Sequence, residues 1–172
     1  MINHTNVLLD APVWFVEQVQ ELQMLSERPD YHPEPNAFVH ECIVAHRCAF
    51  TNNINLVLTA WLHDSFKLIL NRTNPKTGFP TAPGHDKAAA DLVRQDQEIQ
   101  QWILRWQGDV QCVAWLCEQH MRIAQLPDMR ITKQEQFRQH QWFALLESFH
   151  RADNMVAPFV PLFFNAGSSD IL

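Results

Sequence analysis
The chain has 172 residues, of which 47% are hydrophobic and 19% charged, with a formal net charge of −6. That is enough apolar material for one sizeable core, and the acidic balance argues against a general basic surface for duplex nucleic acid, though not against a local basic pocket. No uncharged apolar run reaches the length of a membrane span, so no membrane association is expected.

Nine histidines are scattered rather than grouped as a tag, and six tryptophans and eleven phenylalanines against one tyrosine predict a core of large apolar rings. The four cysteines, Cys42, Cys48, Cys112 and Cys117, form no C-x-x-C pair, which argues against a structural zinc knuckle. The start carries Asn3, His4, Asn6 and Asp10 instead of a basic head and a long apolar stretch. The expected setting is cytoplasmic and reducing. The expected fold is all-α, a single domain over residues 1–172 built as a bundle of about six or seven helices.

Residues 1–9 read as a short arm. Asp10 is placed to cap a helix with Pro12 in its first turn, and Val16, Val19 and Leu22 recur at helical spacing toward Leu25. A proline-rich connection, residues 27–36, leads to Asn36, a cap for a helix over 37–50. There Val39, Ile43, His46 and Phe50 make an apolar-leaning stripe with His40 beside it. Asn52 and Asn53 break the chain. The next helix carries the uncharged run Ile54 to Leu62 into His63-Asp64 and on toward Leu70. Residues 71–84 hold three prolines and two glycines, so Arg72 and Lys76 fall on a long irregular segment. Such a segment is either a functional lid or wall, or an ordinary solvated loop.

Gly84-His85-Asp86 opens a helix toward Trp106, buried through Ala89, Leu92, Val93, Ile99 and Ile103. His85 stands where free backbone N–H groups favour anions, and Asp86 answers the helix dipole. Gly108 ends that helix. Another, over 109–121, aligns Val110, Val113, Cys117 and His120. After Pro127, Thr132-Lys133-Gln134-Glu135 matches a capping box and starts the last long helix. Trp142, Leu145, Phe149 and Asp153 share one of its faces; His140 and His150 lie off it and read as surface residues. The apolar tail, residues 154–172, either covers the core or makes a homodimer contact.

His63 and Asp64, at the end of a buried run, need a partner, because burying an unpaired polar or charged group costs several kcal/mol. A metal ion or a hydrogen-bonded structural pair meets that need. Singly, His40 and His120 read as core histidines rather than as ligands. Together, His40, His63, Asp64, His85, His120 and Asp153 come from different helices apart from the tandem pair, each near a core-facing side. Imidazole and carboxylate suit Mg, Mn, Ni, Co, Fe or Zn, so the set predicts one or two divalent ions without naming the metal. His40, His63, Asp64 and Asp153 would hold the principal ion. His85 and His120 would hold a second, bridged by Asp64, or contact phosphate. Lys67, one turn beyond Asp64, pairs with it or holds a phosphate; Arg72, Lys76 and Lys87 are further phosphate candidates.

The order H…HD…H…H…D resembles the HD-domain metal-dependent phosphohydrolase superfamily. Y-H-P-E-P-N-A-F-V-H, residues 31–40, is similar to the W-H-P-E segment leading into the first metal histidine in the HD domain of bacterial tRNA nucleotidyltransferases. L-H-D-S-F-K resembles that family's H-D-x-G-K, and G-H-D-K-A-A-A-D-L-V, residues 84–93, resembles its G-H-E/G segment after the proline-rich loop. The likeness runs from Pro29 to Asp153. Phe66 stands where glycine is expected and Asp86 where the longer acid is usual. The nucleotidyltransferase domain with its G-S and D-x-D motifs is absent, so the resemblance implies a stand-alone HD module that does not add CCA to tRNA. It implies hydrolysis of a nucleotide or related small phosphoester by metal-activated water, with His63, Asp64 and Lys67 at the reacting centre. Two other readings stay open. One is a metal-containing module that senses a nucleotide with little or no turnover. The other is an interaction protein in which the polar cluster is a relic.

Overall fold
The computed structural model describes residues 1–26 and 34–154. The connection around Pro29 and the apolar tail therefore lie outside the described residues. The fold is all-α. Among the described residues there are nine helices: α1 (His4–Leu9), α2 (Val13–Glu21), α3 (Ala37–Phe50), α4 (Ile54–Leu62), α5 (His85–Gln95), α6 (Gln97–Arg105), α7 (Val110–Ile123), α8 (Ile131–Arg138) and α9 (Phe143–Asn154). Short 3-10 turns follow α2 and α7. The irregular segment folds back as a two-residue antiparallel hairpin, β1 (Arg72–Thr73) with β2 (Pro80–Thr81), pairing Arg72 with Thr81. No helix among the described residues is long and apolar enough to cross a membrane.

The core is built around α4. Every residue from Leu56 to Leu62 is buried, as expected of a helix that is apolar on all sides. The Asn53 side chain starts it by accepting from Asn55 N–H, and α1, α3, α7 and α9 pack around it. The helix stops at Leu62 rather than continuing toward Leu70. Ser65 Oγ donates to Leu62 O at 2.8 Å, and the Gln18 side chain donates to Ser65 O at 2.9 Å. Both carbonyls are thus claimed by side chains, and residues 63–70 run as successive turns.

The first nine residues are not an arm. Asn3 caps α1, and two carbonyls of that helix are met from afar. Trp61 Nε1 donates to His4 O at 3.0 Å and Trp102 Nε1 to Val7 O at 2.9 Å. Asp10 does not cap α2; its Oδ2 accepts from Arg105 Nε and Trp106 Nε1. The helix expected over 85–106 is two, because the Asp96 carboxylate accepts from Ile99 N–H at 2.9 Å and caps a new start. The last helix is also two. Arg130, not Thr132, precedes α8, which has no side-chain cap, and α9 begins only at Phe143. Between them the His140 ring stacks on Trp115, centroids 3.9 Å apart.

Asn36 caps α3 as its sequence indicates, its side chain accepting from Val39 N–H at 2.9 Å. The buried face, however, is Ala37, His40, Glu41, Val44, Ala45 and Cys48, whereas Val39, Ile43 and His46 are half-buried and Phe50 is exposed. Gly108, in the turn between α6 and α7, lies close against α4 and the end of α6. A Cβ there would stand 2.5 Å from Leu58 Cδ1 and 2.9 Å from Ile103 Cγ2. Gly108→Ala is expected to cost about 1–3 kcal/mol through overpacking, seen as a lower denaturant midpoint at unchanged slope.

Candidate metal centre
Three imidazoles are set by one local device. His63 Nδ1 donates to Ala60 O at 3.0 Å, His85 Nδ1 to Ala82 O at 2.7 Å and His120 Nδ1 to Cys117 O at 2.6 Å. Each acceptor lies three residues back. A carbonyl oxygen only accepts, so each Nδ1 carries the proton and the neutral ring presents a bare lone pair at Nε2. His63 does this at the C-terminal end of α4 and His120 in the last turn of α7. For His85 the device needs the turn at Gly84, whose φ of 86° is costly for other residues.

Those Nε2 atoms converge on Asp64. Its Oδ1 lies 3.0 Å from His85 Nε2 and 3.7 Å from His120 Nε2. Its Oδ2 lies 3.3 Å from His63 Nε2, 3.9 Å from His40 Nε2 and 2.7 Å from Lys67 Nζ. Asp153 Oδ1, arriving on α9, is 2.9 Å from His40 Nε2 and 3.6 Å from His63 Nε2. His85 Nε2 and His120 Nε2 face each other at 3.2 Å. All these groups are buried except Asp153 and Lys67, which are partly so.

The hydrogen bonding of the cluster is incomplete. His63 Nε2 and Asp64 Oδ1 are buried without a hydrogen-bond partner among the described residues, a costly condition that a cation would relieve. His40, His63 and Asp153 form one group whose ligand atoms lie within 4.8 Å of one another, Asp64, His85 and His120 form a second, and Glu41 with His63 and Asp64 a third. Nitrogen and carboxylate donors of this kind fit a divalent ion. All six sequence-predicted ligands are therefore brought together.

The electrostatics follow from burial and from the carboxylates. Burial opposes charge on His40, but contacts with Asp153 and Glu34 overcome it and raise its pKa to about 9. Burial is likewise overcome at His63, by Asp64 and Glu41, and at His85, by Asp64; both are raised. Burial would raise Asp64, yet His63 and Lys67 hold its carboxyl well below the usual range. Asp153 is held low in the same way by His40 and His63. Burial and the neighbouring His63 push His120 down to about 4.

A cavity of about 400 Å³ reaches this cluster, lined among others by Lys67, His85, His120 and Asp153, with Leu25, Pro80 and Met121 as apolar lining. His150, which the sequence placed on the surface, is half-buried and lines it too. His140 is also half-buried, against Trp115. Arg72, Lys76 and Lys87 are exposed and are not among the lining residues. A second depression, about 290 Å³, involves Trp115, Arg122, Lys133 and His140 and none of the cluster.

Two acids of the site escaped the sequence reading. Glu34 Oε2 lies 3.9 Å from His40 Nδ1, and Glu41 Oε1 lies 3.8 Å from His63 Nδ1. Burial pushes Glu41 up to about 8. A signal for Glu41 existed: it shares a helical face with Ala37, Val44, Ala45 and Cys48, a stripe of small and apolar residues. No family model, curated protein or solved structure matches the chain.

Proposed function
We propose that this chain is a metal-dependent phosphohydrolase or phosphodiesterase of the HD-domain kind, acting on a nucleotide or related phosphoester. The observation that carries this reading is the division of Asp64, one oxygen toward His85 and His120, the other toward His63 and His40. A carboxylate so placed suits a bridge between two ions: His40, His63 and Asp153 would complete one site, His85 and His120 the other. A bound divalent ion (Mg, Mn, Ni, Co, Fe or Zn) supplies Lewis acidity toward a phosphoryl oxygen and draws the pKa of water toward neutrality.

The chain's own residues do the rest. Asp64 and Asp153 supply the negative charge that offsets the cations, and the backbone-anchored imidazoles arrive with their orientation already fixed. Lys67 both touches Asp64 and lines the cavity, so its ammonium is placed to take a phosphate oxygen as substrate enters. Arg72, Lys76 and Lys87, further out, would meet only the distal part of a longer substrate. The cavity has the size of a small-molecule site, and the acidic chain offers no general surface for duplex DNA.

The test is release of phosphate and nucleoside from a panel of 2′-, 3′- and 5′-nucleotides, 2′,3′-cyclic nucleotides, dinucleoside polyphosphates and dNTPs. Each ion is supplied in turn, with Asp64→Ala as the blank. Turnover by the parent alone supports the hydrolase and reveals its substrate class. Nucleotide-dependent stabilisation without product would replace it with a sensing module.

A further inference from the structure
Glu41 follows His40 in α3 and is wholly buried, with neither carboxylate oxygen hydrogen-bonded among the described residues. A buried acid without a donor costs stability that an isosteric apolar side chain would not. A fold keeps such a group where it serves something other than stability. Its Oε1 faces Nδ1 of His63 at 3.8 Å, the ring edge opposite the Nε2 that turns toward Asp64 and Asp153.

The same relation recurs once. Glu34, also buried, stands 3.9 Å from Nδ1 of His40. The two imidazoles grouped with Asp153 thus each have an acid behind them. His63 Nδ1 still donates to the Ala60 carbonyl, so its acid acts through charge and not through a hydrogen bond; among the described residues, His85 and His120 have a backbone carbonyl and no acid behind theirs. A carboxylate behind an imidazole makes its far nitrogen a stronger ligand, and its charge offsets that of a bound cation.

We propose that Glu41, seconded by Glu34, is a positioning residue that makes the His40–His63–Asp153 site the tighter of two unequal metal sites. This rests on the metal reading above. The acids touch no reacting atom; they act through His63 and His40.

The test is calorimetric titration of the full chain with Mn²⁺, beside the melting temperature of the metal-free protein. The parent should show two steps of different affinity. Glu41→Gln, nearly isosteric but uncharged, should weaken the tighter step about tenfold to a hundredfold, leave the weaker step in place, and leave the metal-free melting temperature unchanged or higher. Glu34→Gln should act in the same direction. Parent-like affinities in Glu41→Gln overturn the proposal while leaving the metal centre standing. So does a lower metal-free melting temperature with unchanged affinity, which marks a purely structural role. A parent that binds no ion removes the metal reading and this inference together.

Discussion

On the proposed two-ion hydrolase, Asp64→Asn is expected to lower turnover by about three orders of magnitude or more and to reduce the metal content to one ion or none. The reason is the double duty of one carboxylate. Its oxygens face four imidazoles and Lys67, and no other acid among the described residues lies within ion-pair distance of both His85 and His120. An amide keeps the shape but gives up the charge and presents a donor where the cluster already holds cations or lone pairs. Asp64→Ala should go further. It removes the buried partner of Lys67 and His63, and breaking such a pair costs about 3–5 kcal/mol. The asparagine variant therefore reports on chemistry and the alanine variant on chemistry and folding together. Initial rates, metal titration and circular dichroism on both separate the two. An asparagine variant turning over like the parent would remove Asp64 from the reacting centre.

Most of the histidines and aspartates of this site could be read from the sequence: His63 and Asp64 as the polar end of a buried run, His85 at a helix start, and His120 and Asp153 by helical phase. His120 continues the stripe of Val113 and Cys117, and Asp153 continues that of Phe149, and both land in the cluster. Glu41 could not be read that way. The larger apolar residues of α3, Val39, Ile43 and Phe50, drew the expected core face to the wrong side. What turns α3 is the small set Ala37, Ala45, Cys48 and Ala49, which allows close approach to α4, together with the site itself, which recruits His40 and Glu41 inward. Local rules fail where function outweighs them.

Helix boundaries divide along similar lines. Asn36 and Asn53 cap through their own side chains, a local event, and both starts fall where the sequence puts them. The existence of α1 depends on indoles 57 and 95 residues away, so no local pattern announces it. The early stop of α4 depends on Gln18 reaching Ser65 O across 47 residues. The break at Asp96 was local and available: an aspartate three residues before Ile99 is an ordinary cap. It was hidden by an apolar stripe that runs on in phase from Leu92 to Ile99 and Ile103.

Adding Mn²⁺ to the metal-free chain is expected to raise its melting temperature, and a chelator to reverse the rise. In the metal-free cluster the Nε2 atoms of His85 and His120 stand 3.2 Å apart and His63 Nε2 lacks a hydrogen-bond partner among the described residues. An ion between such groups takes up nitrogen lone pairs and leaves no buried ring atom unpartnered, and it does so only in the folded chain, where three different elements bring them together. Free ion at a hundred times its dissociation constant adds about 2.7 kcal/mol to stability. For a chain of this size each kcal/mol moves the melting temperature by about 2–4 °C, so a rise of about 5–11 °C is expected. Mn²⁺ is the better probe than Zn²⁺. Zinc also binds histidine and cysteine in unfolded chains, which offsets part of the shift, and this chain carries nine histidines and four cysteines. His85→Ala should keep part of the rise, because His40, His63 and Asp153 still form a complete group. His63→Ala should lose most of it, because that ring belongs to the group with Asp153 and also approaches Asp64. A melting temperature indifferent to every ion tested would leave these histidines as a hydrogen-bonded core and withdraw the hydrolase with them.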